Sequence, residues 1–289
     1  MSSNPAKLRR LLQEEDILLA PGAYDALSAK IIEQVGFKTA IMGGYSIAAS
    51  RLAQPDFGAL TLTEMAAALK VITDAISIPI IADGDTGYGN PLSVRRTVHE
   101  YEKMGAAAII FEDQVFPKRC GHMFGKEVIP AEQHIQKIKA ACEARQNPDL
   151  IIVARTDARA SLGLKQAIER GKRYLEAGAE VLFIEAPQSE AELAAIGQAF
   201  PHTPLVANMV EGGRTPCLSA EALRQLGFKI VFWPCTALYT LASALQKVFA
   251  SLLETGSTSC CQAEMLTFNQ FNHLVGLDEY LDLDNIYKS

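Results

Sequence analysis

The sequence carries no excess of positive charge. Lys and Arg number 27 against 33 Asp and Glu, a formal charge of −6, which gives no electrostatic reason to bind nucleic acid. Long apolar runs are missing too. Stretches such as Ile78-Pro79-Ile80-Ile81-Ala82 fall far short of the ~20 residues of a membrane helix, so no membrane partner is expected. Met1-Ser2-Ser3-Asn4-Pro5-Ala6-Lys7 leads into a charged amphipathic stretch without an apolar signal core. None of Cys120, Cys142, Cys217, Cys235, Cys260 and Cys261 forms a CxxC pair, and in a chain this long they do not read as a disulfide framework. Reduced thiols and a cytoplasmic location are the expectation. No Gly-rich dinucleotide fingerprint follows the first apolar run, which weakens an open doubly wound sheet. No linker or low-complexity segment marks a second domain.

What is present is a core-forming chain of 289 residues, 49% hydrophobic and 21% charged. Short β-rich apolar runs at 17–20, 39–42, 78–82, 107–111, 150–154, 181–184, 205–207 and 230–232 alternate with helical periodicity at 62–76, 92–104, 131–144, 164–177, 190–200 and 220–226. Thr61 with Glu64 spells a capping box. Gly36, Gly105, Gly178 and Gly227 sit where helices should stop. Eight strand–helix units of ~30 residues fill roughly 240 residues, one α/β (β/α)8 TIM barrel. The expected organisation is a single barrel domain over 1–289, with an N-terminal helix and a C-terminal helical extension from about residue 257.

Polar or small residues close the apolar runs: Gly43-Gly44, Asp83-Gly84-Asp85, Glu112-Asp113, Arg155-Thr156-Asp157, Glu185 and Asn208. In a barrel these converge on the C-terminal mouth, where barrel enzymes keep their active sites. Asp83, Asp85 and Glu112 without Cys or His suit a hard ion, Mg²⁺ first and Mn²⁺ next. The alternative is structural: Asp83 and Asp85 cap the next helix, and Glu112 pairs with Arg155. Gly43-Gly44 offers either backbone donors for an oxyanion or a tight turn.

The segment 113–129 is long enough to act as a lid. Within it, Lys118 and Arg119 precede Cys120, and His122 follows. Positive neighbours should lower the thiol pKa toward neutrality and make Cys120 a proton donor or acceptor. His99, His134, His202 and His273 are given no role.

Lys118-Arg119-Cys120-Gly121-His122, preceded by Glu112-Asp113-Gln114, resembles the signature loop of the isocitrate lyase / phosphoenolpyruvate mutase superfamily. Asp83-Gly84-Asp85-Thr86-Gly87-Tyr88-Gly89, Ala154-Arg155-Thr156-Asp157 and Ala207-Asn208-Met209-Val210-Glu211-Gly212-Gly213 are similar to its other motifs. The likeness is greatest to the 2-methylisocitrate lyase, 2,3-dimethylmalate lyase and carboxyphosphonoenolpyruvate mutase branch. It implies a barrel whose last helix is exchanged between subunits, in a homotetramer built as a dimer of dimers. It implies Mg²⁺ and a small 2-hydroxy or 2-oxo carboxylate substrate.

By the same resemblance, Asp83 binds the metal, with Asp85, Asp56 and Glu112 holding its waters. Gly43, Gly44 and Tyr45 bind a pyruvate-like moiety, and Gly121, His122, Arg155, Glu185 and Asn208 complete the pocket. Cys120 delivers a proton, and Tyr45 or Glu185 takes one from the substrate hydroxyl. Relatives often carry Ser or Thr where this chain has Gly43. Relatives that cleave 2-methylisocitrate hold its third carboxylate with two arginines, and the matched positions here are Tyr239 and Phe268. The implied reaction is cleavage of a 2-alkylmalate such as 2,3-dimethylmalate to pyruvate and a short carboxylate. A 2-methylisocitrate lyase, a carboxyphosphonoenolpyruvate mutase and an oxaloacetate hydrolase or decarboxylase are the alternatives on the same barrel. From a different class stands a catalytically silent scaffold, against which the intact carboxylates, Arg155 and Cys120 argue.

Overall fold

The computed structural model describes residues 3–288. Eight strands form one parallel sheet: β1 (Leu18–Pro21), β2 (Ala40–Met42), β3 (Ile80–Asp83), β4 (Ala108–Glu112), β5 (Ile151–Thr156), β6 (Val181–Ile184), β7 (Leu205–Asn208) and β8 (Ile230–Trp233). The hydrogen-bonded order runs β1-β8-β7-β6-β5-β4-β3-β2. A bridge between Gly22 and Ile41, with the Ala23 N–H donating to the Ile41 carbonyl at 2.8 Å, joins β1 to β2 and brings the sheet round into a (β/α)8 barrel. All eight sequence-predicted strands are present.

The strands bury both faces, as a helix-covered parallel sheet requires. The inner face stacks Ile41, Ile81, Ile110, Val153, Phe183 and Val206 into one apolar layer system. Leu8 of the helix Asn4–Glu14 joins this interior cluster, and Arg9 of the same helix donates to the Asp149 carbonyl just before β5. That helix therefore packs at the N-terminal end of the barrel. A second cluster fills the space between strands and outer helices, with Leu69, Ile72, Tyr101, Ile109, Phe111 and Tyr174 among its buried members.

Local signals read from the sequence act as expected. Thr61 and Glu64 form both halves of the capping box of the helix Leu62–Ala75. Gly36, Gly105, Gly178 and Gly227 take φ of 106°, 88°, 112° and 90°, the left-handed region that only glycine enters without strain. Gly43-Gly44 is not a tight turn, and its Gly44 N–H acts as a backbone donor, to Asp83 at 3.0 Å. It opens a further helix, Gly44–Leu52, with Gly43 at its N-cap.

The chain folds as two compact units, Met1–Ala237 and Leu238–Ser289. The second holds most of the helix Thr236–Thr255, then a short 3₁₀ turn and the helices Phe268–Leu274 and Leu277–Lys288. None of these three α-helices has a buried residue.

Candidate active site at the barrel mouth

Successive residues of a strand point to opposite faces. Two residues beyond the apolar inner layer, the same inward-facing rows reach Gly43, Asp83, Glu112, Arg155, Glu185 and Asn208. The six strand-end groups legible in the sequence are thus the barrel's top interior layer. The loop 113–129 adds Cys120, Gly121 and His122. A cavity of about 60 Å³ is lined by Gly43, Gly44, Tyr45, Asp56, Asp83, Cys120, Gly121, His122, Arg155, Glu185 and Asn208. Asp85 and Glu112 are not in its wall, and they join it through Lys118 and Arg155. A larger groove of about 1090 Å³, lined by Leu60, Tyr88, Arg96 and Gln133 among others, contains none of these residues.

Charge dominates the site. Asp56, Asp83, Asp85, Glu112, Asp157 and Glu185 are buried with only Lys118, Lys126 and Arg155 as buried cations among them. The Arg155 guanidinium is shared by three acids: Nη2 lies 3.2 Å from Glu112 and 3.1 Å from Glu185, and Nε donates to Asp157 at 3.0 Å. Its flat face covers the Phe183 ring at 5.1 Å. Burial pushes Glu112 well above the usual carboxylate range, and Arg155 only partly opposes it. Burial would raise Glu185 and Asp157 as well, but Arg155 together with His122 or Lys126 holds both below that range.

The Lys118 ammonium sits 2.8 Å from Asp56 and 2.6 Å from Asp85. Burial would cost Lys118 its proton, but these acids outweigh it and raise its pKa. Asp85 is pushed up to about 7, chiefly by burial and then, against Lys118, by Asp83 and Asp56. Asp83 is oriented by two backbone donors, the Asp85 and Gly44 N–H groups, each at 3.0 Å. Neither Asp83 nor Asp85 caps the following helix, because Asn90 accepts from Leu92 and Ser93 there. Glu112 does pair with Arg155, as the structural alternative held.

The thiol departs from expectation. Cys120 is not brought toward neutrality by its cationic neighbours, and burial pushes it up to about 11. Its sequence neighbours do not face it: Lys118 is committed to the acid cluster, and Arg119 donates to the Phe124 carbonyl at 3.1 Å. Burial thus favours the thiol form of Cys120 over the thiolate. The loop that carries it lies directly on the barrel. A Cβ at Gly121 would stand 2.4 Å from Glu185 Oε2 and 2.5 Å from Arg155 Nη2. His122 Nδ1 accepts the Arg214 N–H at 2.9 Å, which leaves Nε2 to face Glu185 at 3.3 Å.

The donor set suits a hard divalent ion. Buried carboxylates crowd the mouth, and Glu112 Oε1 and Asn208 Oδ1 are buried without a hydrogen-bond partner. Among the described residues no three His, Cys, Asp or Glu side chains close around an ion unaided.

Sequence reasoning missed Lys118 as a partner of the acids, Lys126, Asp157 and Arg214. Lys126 contacts Asp157 at 2.6 Å, and Arg214 Nε donates to the His122 carbonyl at 2.9 Å. Asp157 stood inside a recognised motif and Arg214 just after another, so proximity to those motifs was the available signal. Behind the site, buried Asp113 accepts from Thr156, the Asp157 N–H, Arg170 and Tyr174 at 2.7–2.9 Å and fixes the end of β5.

Residues 8–253 match the family described as phosphoenolpyruvate phosphomutase. The chain is 46% identical to 2,3-dimethylmalate lyase of Eubacterium barkeri, over 98% of this chain and 97% of that one. It is 47% identical to the chloroplastic carboxyvinyl-carboxyphosphonate phosphorylmutase of Arabidopsis thaliana, over 98% and 84%. Among solved structures, oxaloacetate acetylhydrolase with 3,3-difluorooxalacetate superposes with a TM-score of 0.94 at 35% identity, covering 99% of this chain and 98% of that one. Phosphonopyruvate hydrolase with oxalate and Mg²⁺ gives a TM-score of 0.90 at 31% identity over all of both chains.

Proposed function

The chain belongs to the phosphoenolpyruvate phosphomutase family, and from that premise we propose that it is a Mg²⁺-dependent carbon–carbon lyase acting on 2-alkylmalates. The substrate class is represented by 2,3-dimethylmalate, cleaved to pyruvate and a short carboxylate. The observation that carries the reading is the half-buried Cys120 in the wall of one cavity with Asp83, Arg155 and Glu185, its thiol form favoured by desolvation. Such a thiol is a proton donor in place, which carbon–carbon cleavage next to a carboxylate requires.

Asp83, with Asp85, Asp56 and Glu112 around it, would hold Mg²⁺, which acidifies the substrate hydroxyl and neutralises the adjoining carboxylate. The N-terminal turn of the helix Gly44–Leu52 presents backbone N–H groups to the pyruvate-forming half, a favourable place for a carboxylate. Arg155 and Asn208 orient the other half. The hydroxyl proton passes to Glu185 or Tyr45, both in the cavity wall. The C2–C3 bond breaks, its electron pair stays on C3 as an aci-carboxylate, and Cys120 protonates that carbon. The loop that carries Cys120, Gly121 and His122 forms part of the cavity wall and would open to admit the substrate.

At the positions that the resemblance matches to the two arginines, Tyr239 and Phe268 carry no charge, and an unpaired carboxylate in a closed site costs several kcal/mol. This supports dicarboxylates over 2-methylisocitrate. A phosphonate mutase is the second reading, favoured by the 47% identity to the Arabidopsis enzyme. The protein acts as a cytoplasmic homotetramer with exchanged C-terminal helices, a reading supported by helices that bury nothing of their own.

The test is kcat/KM, read as released pyruvate, for 2,3-dimethylmalate, 2-methylisocitrate and carboxyphosphonoenolpyruvate in one preparation. The dimethylmalate should lead. A preference for the tricarboxylate or the phosphonate overturns the assignment. Dialysis against a chelator should abolish turnover and leave the circular dichroism spectrum unchanged, because the acids lie at the mouth and not in the core. Full turnover after chelation would refute the metal requirement.

A further inference from the structure

The loop that carries Cys120 also carries a second buried ammonium, which the chemistry above does not use. We propose that Lys126 is the positioning residue that locks Cys120 over the substrate, by tying the Gly121 carbonyl to the Asp157 carboxylate. The inference rests on the reading of Cys120 as proton donor.

The Lys126 side chain is fully buried. Its Nζ lies 2.6 Å from Asp157 Oδ1 and also donates to the Gly121 carbonyl. The loop end of this tie falls between the two functional residues Cys120 and His122. The barrel end is rigid, since the Asp157 N–H donates to Asp113 at 2.9 Å and its carboxylate accepts from Arg155 Nε at 3.0 Å. Gly121 has no slack: a Cβ there would stand 2.4 Å from Glu185 Oε2. A movement at Gly121 therefore moves the thiol relative to Arg155 and Glu185.

A buried ammonium is unfavourable unless fully paired. With the loop open, Lys126 is in water and Asp157 keeps Arg155. Closure strips the ammonium of water and gives it two acceptors together. The tie thus acts in the closed state, where proton transfer occurs, and little in substrate capture. Misplacing a catalytic group by about 1 Å can cost ~10²-fold in rate.

The experiment uses the full-length protein without substrate and follows iodoacetamide labelling of Cys120 by peptide mass mapping. Exposed Cys217 is the internal reference. Lys126→Met should label Cys120 at least tenfold faster than wild type. Lys126→Gln, which keeps one polar contact and a milder change in the buried site, should be intermediate and covers the case in which the Met variant does not fold. Both should lower kcat by roughly 10- to 100-fold with KM within a few-fold, since the tie acts after binding. Wild-type labelling rates in the variants, or a lowered Tm with labelling and kcat unchanged, would overturn the inference and leave Lys126 a structural salt bridge. Labelling needs no substrate. A wild-type enzyme inactive on 2,3-dimethylmalate would thus count against the proposed substrate, and unchanged labelling against the tie.

Discussion

At the scale of the residue, Cys120 shows how far burial outweighs charge along the chain. Two cations precede it in sequence, yet both are engaged elsewhere and the thiol sits in a desolvated wall. A thiol pushed up to about 11 holds its proton through the physiological range, which fits a donor and excludes a resting thiolate nucleophile. Cys120→Ala should cut kcat by ~10²-fold or more, the usual scale for a general acid. KM should change little, because Arg155 and the acid cluster hold the ground state. Steady-state kinetics with Cys142→Ala and Cys217→Ala as near-silent controls checks this, and a Cys120→Ala enzyme within a few-fold of wild type would end the donor assignment. The strand-end groups Asp83, Glu112, Arg155, Glu185 and Asn208 were legible because each is a polar residue that closes an apolar run. Lys118 and Lys126 were not. Their acids lie 62 and 31 residues away in sequence, and a lysine in a polar loop gives no sign that folding will bury it.

Elements were legible wherever a local signal closed on itself. Apolar runs gave all eight strands, four of them entered through the Gly turns at 36, 105, 178 and 227, and the Thr61–Glu64 box marked its helix start. The helix Gly44–Leu52 had no such mark, since its N-cap is Gly43 without a side-chain cap. Helix packing also buries a histidine that the sequence left without a role. The helix Ala131–Ala144 turns His134 inward, where its ring meets Tyr174 of the helix Leu164–Glu176 edge-on at 4.6 Å. Burial, with Lys137 and Arg170 nearby, pushes His134 down to about 3. Unfolded histidine titrates near 6.5. Below that pH the unfolded chain takes up a proton that the folded chain refuses, so this stability is whole above ~6.5 and is lost as pH falls toward ~3. Urea unfolding at pH 7.5 and 5.5, at one protein concentration, should therefore cost wild type about 1.4 kcal/mol more than His134→Phe. Equal losses in the two proteins would show that His134 titrates freely in the fold.

At the scale of the whole molecule, the second compact unit is the part that a single chain does not explain. Leu253 is 91% exposed and Phe268 82%, with Leu241, Leu245, Phe249, Leu266 and Tyr287 also exposed. A 20-residue helix with no buried residue lacks the packing that makes most helices stable in proteins. Apolar exposure on this scale is what a subunit interface would cover. The resemblance read in the sequence already implied a last helix exchanged with a neighbouring copy. The exposure of the helix Thr236–Thr255 was hidden, because its periodicity reads like that of an ordinary last barrel helix covered by its own chain. Closed symmetry lets identical extensions cover identical surfaces without leaving any open. The expected species is a homotetramer, and sedimentation velocity at micromolar concentration should find it as the dominant boundary. Leu253→Glu with Phe249→Glu should shift that boundary to smaller species, because charges buried unpaired in an apolar interface cost several kcal/mol. A wild-type monomer at micromolar concentration would mean that these helices are covered in some other way, and helix exchange would have to be abandoned.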